Sequence, residues 1–219
     1  MQNRQQRKTA ASGISVAGWR DRLTAAPVTV VDPRAHVDGQ LMKALHATHF
    51  FDIASAQGIG ITVMVFPLDD LDVMMNIDSV CRFCGNEVEY VIVRNPARAP
   101  KTRMFDGSEL EKELLSLHAG SVTLPVLFEF VKLRLAKLET DQQRGIPFNE
   151  AVGNDALGLA IMARGVLQDW LCTLFAQYDL IAAKLLPADQ AANVKPKAAG
   201  PPIGEPATIK RGAKVNLIG

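Results

Sequence analysis

The sequence has little cysteine, almost no net charge and no long apolar run. Three cysteines are an odd number without the spacing of a disulfide framework, which argues against a disulfide scaffold and favours a reducing compartment. A formal net charge of +1 indicates neither nucleic acid nor a membrane surface as a partner. Since no apolar run could cross a bilayer and the basic start lacks the apolar segment of a secretory signal, we expect a cytoplasmic protein without a transmembrane segment.

The composition is that of one globular domain with polar ends. Apolar residues make up 48% and charged residues 21% of the 219 residues, which is ordinary for a domain with a sizeable core. We predict a disordered basic N-terminus over residues 1–13 and an α/β domain over residues 14–186. Residues 187–219 are rich in Pro, Ala, Gly and Lys, which predicts a disordered tail.

Four apolar runs predict the strands of a sheet. The first, residues 28–31, is mostly β-branched without polar alternation, which is typical of a strand buried on both faces. The runs recur at a spacing of roughly thirty residues, with helical periodicity between them, as in repeated βαβ units. The pattern therefore predicts an α/β fold with a three-layer parallel sheet and flanking helices. The predicted strands cover residues 28–31, 61–66, 88–93 and 121–125.

Helical periodicity fills most of the remaining chain. Gly85 is predicted to end one helix, and Ser108 is predicted to cap the start of the next. Residues 97–107 and 141–154 are predicted to be loops. The predicted helices cover residues 15–25, 37–47, 69–83, 108–118, 128–139 and 156–186.

Each predicted strand ends in a proline or is followed by one, and most are followed by a charged or amide side chain as well. Because the carboxyl ends of parallel strands share one edge of a sheet, we expect these residues to converge. Asp32 could be a functional carboxylate there, or it could only cap the turn or helix that follows. The residues in question are Asp32 with Pro33, Pro67 with Asp69 and Asp70, Arg94 with Asn95 and Pro96, and Pro125.

Three short motifs, taken in order, resemble those of a known family. Residues 32–35 have the pattern Asp-x-x-Ala, residues 93–95 the pattern Val-x-Asn, and residues 124–125 are Leu-Pro before an amphipathic helix. This set resembles the ParA/MinD family of P-loop ATPases, most of all its divergent members from plasmids and from conjugation or stability operons. The resemblance covers residues 28–186. It implies a P-loop NTPase-like fold and a function in plasmid maintenance, partition or conjugative transfer.

The resemblance also implies ATP and magnesium as cofactors and gives roles to individual residues. Asp32 would help to hold the magnesium-bound water network, and the loop from Pro33 to Ala35 would act as a switch. Asn95 would recognise the adenine edge, since its amide offers a donor and an acceptor in one plane. The backbone around Pro125 would pack against the base. From the residues alone, Asn95 could equally cap the turn before Pro96.

The phosphate-binding loop of that family is missing. No G-x-x-x-x-G-K-[ST] motif occurs in the 219 residues, and the pair Lys8 and Thr9 follows no glycine-rich loop. Because this loop supplies most of the electrostatic stabilisation of phosphoryl transfer, we expect no ATP hydrolysis unless an upstream loop is restored. The chain resembles the C-terminal portion of such an ATPase, truncated or degenerate. Its first strand would lack a neighbour, which predicts marginal stability or self-association.

A different class of function stays open. A non-enzymatic α/β interaction module would act through the helix over residues 128–139 or the apolar stretch over residues 156–186. The basic residues of the loop after the third strand could meet phosphates or nucleic acid, or they could be a solvated loop. The tail lysines could touch DNA weakly or an acidic membrane, or belong to a plain linker. The loop residues are Arg98, Lys101 and Arg103.

Cys81 and Cys84 form a C-x-x-C pair. A zinc site would need a second pair, and only Cys172 remains. A redox role favours the N-terminus of a helix, whereas this pair lies near a helix C-terminus, so we predict simple packing. His46 and His49 lack the glutamate of an H-E-x-x-H motif, so no metal site is expected there.

Overall fold

The computed structural model describes residues 28–31 and 38–194, in which helices alternate with three strands. Predictions over residues 1–27, including the helix over 15–25, and over residues 32–37 and 195–219 lie outside the described residues. The elements are α1 (Asp38–Ala47), α2 (Phe50–Ala56), β1 (Thr62–Val65), α3 (Leu71–Cys84), β2 (Glu89–Arg94), α4 (Glu109–Ser116), β3 (Gly120–Thr123), α5 (Glu129–Gln142), α6 (Phe148–Gly153), a 3-10 turn (Asp155–Leu157), α7 (Ile161–Leu180), α8 (Ala182–Leu185) and α9 (Ala188–Ala191).

The strands form one parallel sheet in the order β1-β2-β3. Thr62 pairs with Glu89, and Val91 pairs with Gly120. The central strand β2 is buried on both faces, which explains why its sequence is a nearly continuous apolar run. The predicted α/β class, with a parallel sheet and flanking helices, is therefore confirmed at this coarse level.

Residues 28–31 are not a strand in this structure, so that prediction is wrong. Val28, Val30 and Val31 are exposed, Val30 to 87%, and residues 28–31 belong to none of the three strands in the described ranges. A β-branched run favours extended backbone, but a buried strand also needs neighbouring elements that cover its side chains. The neighbouring Asp32 lies outside the described residues.

Helices cover both faces of the sheet. Tyr90 and Ile92 on one face of β2 pack against α3 and α4. Val91 and Val93 on the opposite face pack against Tyr178 at the end of α7 and against the segment that leads into α8. A further apolar cluster joins α5, α6 and α7 beside the sheet. In the described part of the chain, no helix combines the length and the apolarity needed to cross a membrane.

The helix α3 has a capping residue at each end, of which only Gly85 was predicted. The Asp70 carboxylate accepts a hydrogen bond from the Asp72 N–H at 2.9 Å, which satisfies a free donor of the first turn. At the other end Gly85 has a φ of 49°, which a residue without a Cβ adopts most easily. Ser108 caps α4 in the same way as Asp70 caps α3, by accepting the Glu111 N–H.

The second half of the chain differs from the prediction in two places. Residues 141–154, expected to be a loop, contain α6. Residues 156–186, expected to be one helical stretch, are divided into the 3-10 turn, α7 and α8. Gly158 has a φ of 71° and redirects the chain before α7 begins. The short helix α9 lies at the start of the predicted tail over residues 187–219.

Candidate functional site

The parallel order brings three strand ends to one edge of the sheet, here called the carboxyl edge. The register pairs Arg94 with Thr123, so Asn95 and Pro125 follow the ends of neighbouring strands. Asp69 follows β1 on the same side. The structure thus brings Asn95 and Pro125 to one edge, and it does not describe Asp32 or Pro33.

The main chain of Asn95 closes the turn that follows β2. Its carbonyl accepts hydrogen bonds from the N–H groups of Arg98 and Ala99, both at 2.9 Å. Its side chain is half-buried and makes no hydrogen bond within the described ranges. The turn is therefore held by the backbone, and the Asn95 amide keeps both a donor and an acceptor for another group.

Trp170 of α7 fixes the main chain at Pro125. The indole Nε1 donates a hydrogen bond to the Pro125 carbonyl at 2.5 Å. The ring of Phe148 meets the Trp170 ring edge-on, with 5.5 Å between the centroids. The position of the chain after β3 therefore depends on the helical cluster beside the sheet.

Arg94, which was expected at the carboxyl edge but given no role from the sequence, makes several polar contacts there. Its Nη2 donates to Glu111 Oε1 at 2.5 Å and to Asp106 Oδ1 at 3.2 Å. Its Nη1 donates to Ser121 Oγ at 3.1 Å, and its guanidinium lies 5.6 Å from the ring centroid of Phe105. The only signal in the sequence is a cation that ends a buried strand, with acidic residues after it.

The same carboxylates hold the loop between β2 and α4. The second oxygen of Glu111 accepts the Gly107 N–H at 2.7 Å. The second oxygen of Asp106 accepts the Thr102 hydroxyl at 2.9 Å, and Thr102 is buried. Together with Arg94, these bonds fasten the second half of the loop to β2 and α4.

The other carboxylates near this edge also have structural partners. Asp69 Oδ1 accepts the Met104 N–H at 3.0 Å, and Asp70 caps α3. In the part of the chain that the structure describes, no group of three or more His, Cys, Asp or Glu side chains could hold a metal ion. The described carboxylates of Asp69, Asp70 and Glu111 at this edge are therefore all engaged in hydrogen bonds within the protein.

The three basic residues of the loop after β2 remain open to solvent. Arg98, Lys101 and Arg103 are exposed, and none of them forms an ion pair with another described residue. They follow the carboxyl end of a parallel strand, where α/β proteins commonly bind anionic ligands. Both predicted roles of this loop, an anion contact and a solvated surface, are compatible with their exposure.

Cys81 and Cys84 are both buried in the core between α3 and the sheet. Burial raises the pKa of Cys81 to about 12 and the pKa of Cys84 to about 11. Such thiols stay protonated near neutral pH and are poor nucleophiles. Both side chains belong to the apolar core, in agreement with the predicted packing role. Cys172 is exposed.

A cleft of about 290 Å³ lies at the opposite, amino edge of the sheet. Its lining includes Phe51 and Ser55 of α2, together with Asn86, Glu87 and Glu89 at the start of β2. Asn95 and Pro125, to which the resemblance gives nucleotide-binding roles, do not line this cleft. Comparisons of the chain with protein-family models, with curated proteins and with solved structures find no match.

Proposed function

We propose that this chain is a ParA/MinD-like protein that contacts an adenine nucleotide and does not hydrolyse ATP, with a role in plasmid maintenance, partition or conjugative transfer. The observation that carries the proposal is the position of Asn95 and Pro125 on neighbouring strand ends, with the Asn95 amide free of other described partners. An amide in that position can pair with the donor and acceptor of an adenine edge.

Two further features support an adenine contact. The Pro125 carbonyl is held by Trp170, so the backbone proposed to pack against the base is fixed in place. Arg98, Lys101 and Arg103 are exposed on the adjoining loop and would attract the phosphates. Magnesium binding is supported less well than the adenine contact, because the described carboxylates near this edge already have structural partners. Asp32 is the one residue that the resemblance offers for it.

An NMR titration with AMP, with GMP as the control for the base, tests the proposal. We expect weak binding, with a Kd on the order of 1 mM, and shifts centred on Asn95 and residues 124–126. Asn95→Ala should weaken binding of AMP about tenfold, since an unmet hydrogen bond is costly. Asn149→Ala, at an exposed position of α6, should leave binding unchanged.

Two results would reject parts of the proposal. An equal response to AMP and GMP, or an unaltered response in Asn95→Ala, would remove the adenine contact. Tight, magnesium-dependent binding of ATP followed by hydrolysis would contradict the degenerate character of the chain.

A non-enzymatic interaction module is the second candidate function. It is favoured by apolar side chains left exposed on the helical cluster, among them Phe130 and Leu133 on α5 and Ile161 and Met162 on α7. Under this proposal Leu133→Asp would abolish activity in a plasmid-stability assay, and Asn95→Ala would not. The adenine-nucleotide proposal gives the reverse result. A DNA contact would then be indirect, through a protein partner.

A further inference from the structure

The helix α5 has two different faces along its length. Val131, Leu135 and Leu138 pack in the apolar cluster that joins α5, α6 and α7. Four other residues have the spacing i, i+3, i+4 and i+7, which places them in one row on a different side of the helix. All four are exposed, and they are here called the α5 row: Phe130, Leu133, Arg134 and Lys137.

The first half of the α5 row is apolar. Leu133 is 64% exposed and Phe130 is 45% exposed. The ring of Phe128, at the start of α5, is also exposed, and its centroid lies 6.2 Å from that of the Phe130 ring. Exposed apolar side chains that adjoin one another in this way are typical of a surface that binds a partner.

The second half of the α5 row is basic. Arg134 and Lys137 lie one helical turn after Phe130 and Leu133, respectively. Neither of them forms an ion pair with another residue in the described ranges. The two cations therefore border the apolar patch without a counter-charge from an ion pair there.

The acidic residues of α5 are mostly engaged elsewhere. Glu129 is paired with Lys132 at 3.1 Å, and Glu139 accepts the Ile146 N–H at 3.1 Å. Asp141 follows the row only in the last turn of the helix. A partner that covers the α5 row must therefore bring carboxylates next to apolar side chains, because charges of opposite sign across an interface select the partner.

The charge balance of the whole helix favours a protein over a lipid surface. Three basic and three acidic residues occur in α5, whereas an anionic lipid surface attracts a segment with an excess of basic residues. An amphipathic helix can instead meet the row residue by residue, because its own side chains at i, i+3, i+4 and i+7 form a matching row.

We propose that the α5 row binds an acidic amphipathic helix of a protein partner. Apolar side chains of that helix pack on Phe128, Phe130 and Leu133, and its carboxylates lie beside Arg134 and Lys137. The proposal rests on the interaction-module function given above as the second candidate, and it is independent of nucleotide binding. The apolar patch is small, so we expect a Kd on the order of 10 μM.

Selection of a random displayed peptide library against the full chain tests the proposal. The peptides are about 16 residues long, enough for four helical turns. We expect the enriched peptides to be acidic, with apolar residues at i, i+3, i+4 and i+7. Synthetic copies should bind Leu133→Asp at least about tenfold more weakly than the wild type, while its circular dichroism spectrum stays unchanged. The controls Leu115→Asp on α4 and Lys43→Glu on α1, both at exposed positions, should bind normally.

A reversal of charge gives a sharper test. Arg134→Glu/Lys137→Glu should bind the selected peptides at least about fivefold more weakly. Peptides with lysine in place of each acidic residue should prefer this variant to the wild type. No enrichment, enrichment of neutral or basic peptides, or equal losses in Leu133→Asp and the controls would overturn the proposal.

Two other occupants of the α5 row would also overturn it. Binding of the wild type to phosphatidylglycerol vesicles that Leu133→Asp abolishes would assign the row to a lipid surface. Self-association in sedimentation velocity that Leu133→Asp abolishes would assign it to a second copy of the chain. If Leu133→Asp abolishes activity in the plasmid-stability assay while the selection yields no acidic peptide, the interaction function stands and the acidic helix is rejected.

Discussion

Arg94 Nη2 lies 2.5 Å from Glu111 Oε1, and this ion pair joins the end of β2 to the first turns of α4. The Arg94 side chain is 27% exposed and the Glu111 side chain 17% exposed, so solvent screens the pair only in part. The pair also determines where the loop between them runs, because the other oxygen of Glu111 holds Gly107.

Loss of the Glu111 charge should destabilise the protein measurably. We expect Glu111→Gln to lower the free energy of unfolding by about 1–3 kcal/mol, because Arg94 then loses a charged hydrogen-bond partner in a partly buried place. Urea unfolding at neutral pH measures the change. Glu109→Gln on the same helix removes a partner of Lys112 at an exposed site and should cost less than about 1 kcal/mol. Equal effects of the two variants would refute a special role for Arg94.

Gln177 should protect the outer edge of β3. Gln177→Leu removes both hydrogen bonds to Thr123 and should cost about 1 kcal/mol, since water replaces the amide at this exposed site. Hydrogen exchange by NMR should become faster at the Thr123 amide and unchanged at the amides of β2. Gln168→Leu, an exposed position of the same helix, is the control, and an unaltered exchange rate at Thr123 in Gln177→Leu would contradict the capping role.

Gly120 should be intolerant of a side chain. A Cβ at this position would lie 3.0 Å from Ile181 Cγ2 and 3.3 Å from Lys184 Cδ. We therefore expect Gly120→Ala to destabilise the protein by about 1–3 kcal/mol, through overpacking between β3 and α8. Gly165→Ala in α7 has open space around its Cβ and should stabilise the helix by about 0.5–1 kcal/mol. Thermal unfolding should move in opposite directions for the two variants, and the same direction would reject this account.

The buried thiols should make the protein less stable in alkali. Their pKa values are about 12 for Cys81 and about 11 for Cys84 in the folded chain, against 9.0 for an unperturbed thiol. Between pH 9 and 11 the unfolded chain therefore loses thiol protons that the folded chain retains. The free energy of unfolding should fall as the pH rises through this range, by at most about 1.4 kcal/mol per pH unit for each thiol.

Urea unfolding between pH 7 and pH 10.5 measures this slope. Cys81→Ala/Cys84→Ala should flatten it, and Cys172→Ala, at an exposed position, should not. Part of the slope should remain in the double variant, because burial also raises the pKa of Tyr90. A slope that does not differ between the double variant and the wild type would show that the thiols are not its source.

The sequence predicts where helices and strands begin and end better than it predicts which of them pack together. The nearly continuous apolar run of β2, the Ser108 cap and Gly85 all have local causes, and each appears in the structure as expected. Residues 28–31 have the same local pattern as β2, yet they are exposed. Composition sets the preference for extended backbone, whereas burial depends on which other elements pack against the segment.

The candidate site shows the same difference between what local sequence predicts and what long-range contacts decide. The parallel order alone was enough to expect Asn95 and Pro125 at one edge. The arrangement around Arg94 depends on how the loop between β2 and α4 folds. Its partners Asp106 and Glu111 are not separated from Arg94 in the sequence by the repeat of a helix or a strand. The hydrogen bond from Trp170 to Pro125 joins residues from distant parts of the chain. No local pattern predicts such contacts.

One face of the sheet is covered by residues that come late in the sequence and are therefore translated last. Val91, Val93 and Val122 are shielded by the segment around Ile181 and Leu185, far downstream of all three strands. During translation this apolar face therefore stays exposed until the end of α7 has left the ribosomal exit tunnel. A premature stop codon shortly before Ile181 should yield a product that chaperones retain and proteases remove, even though β1, β2 and β3 have all been synthesised.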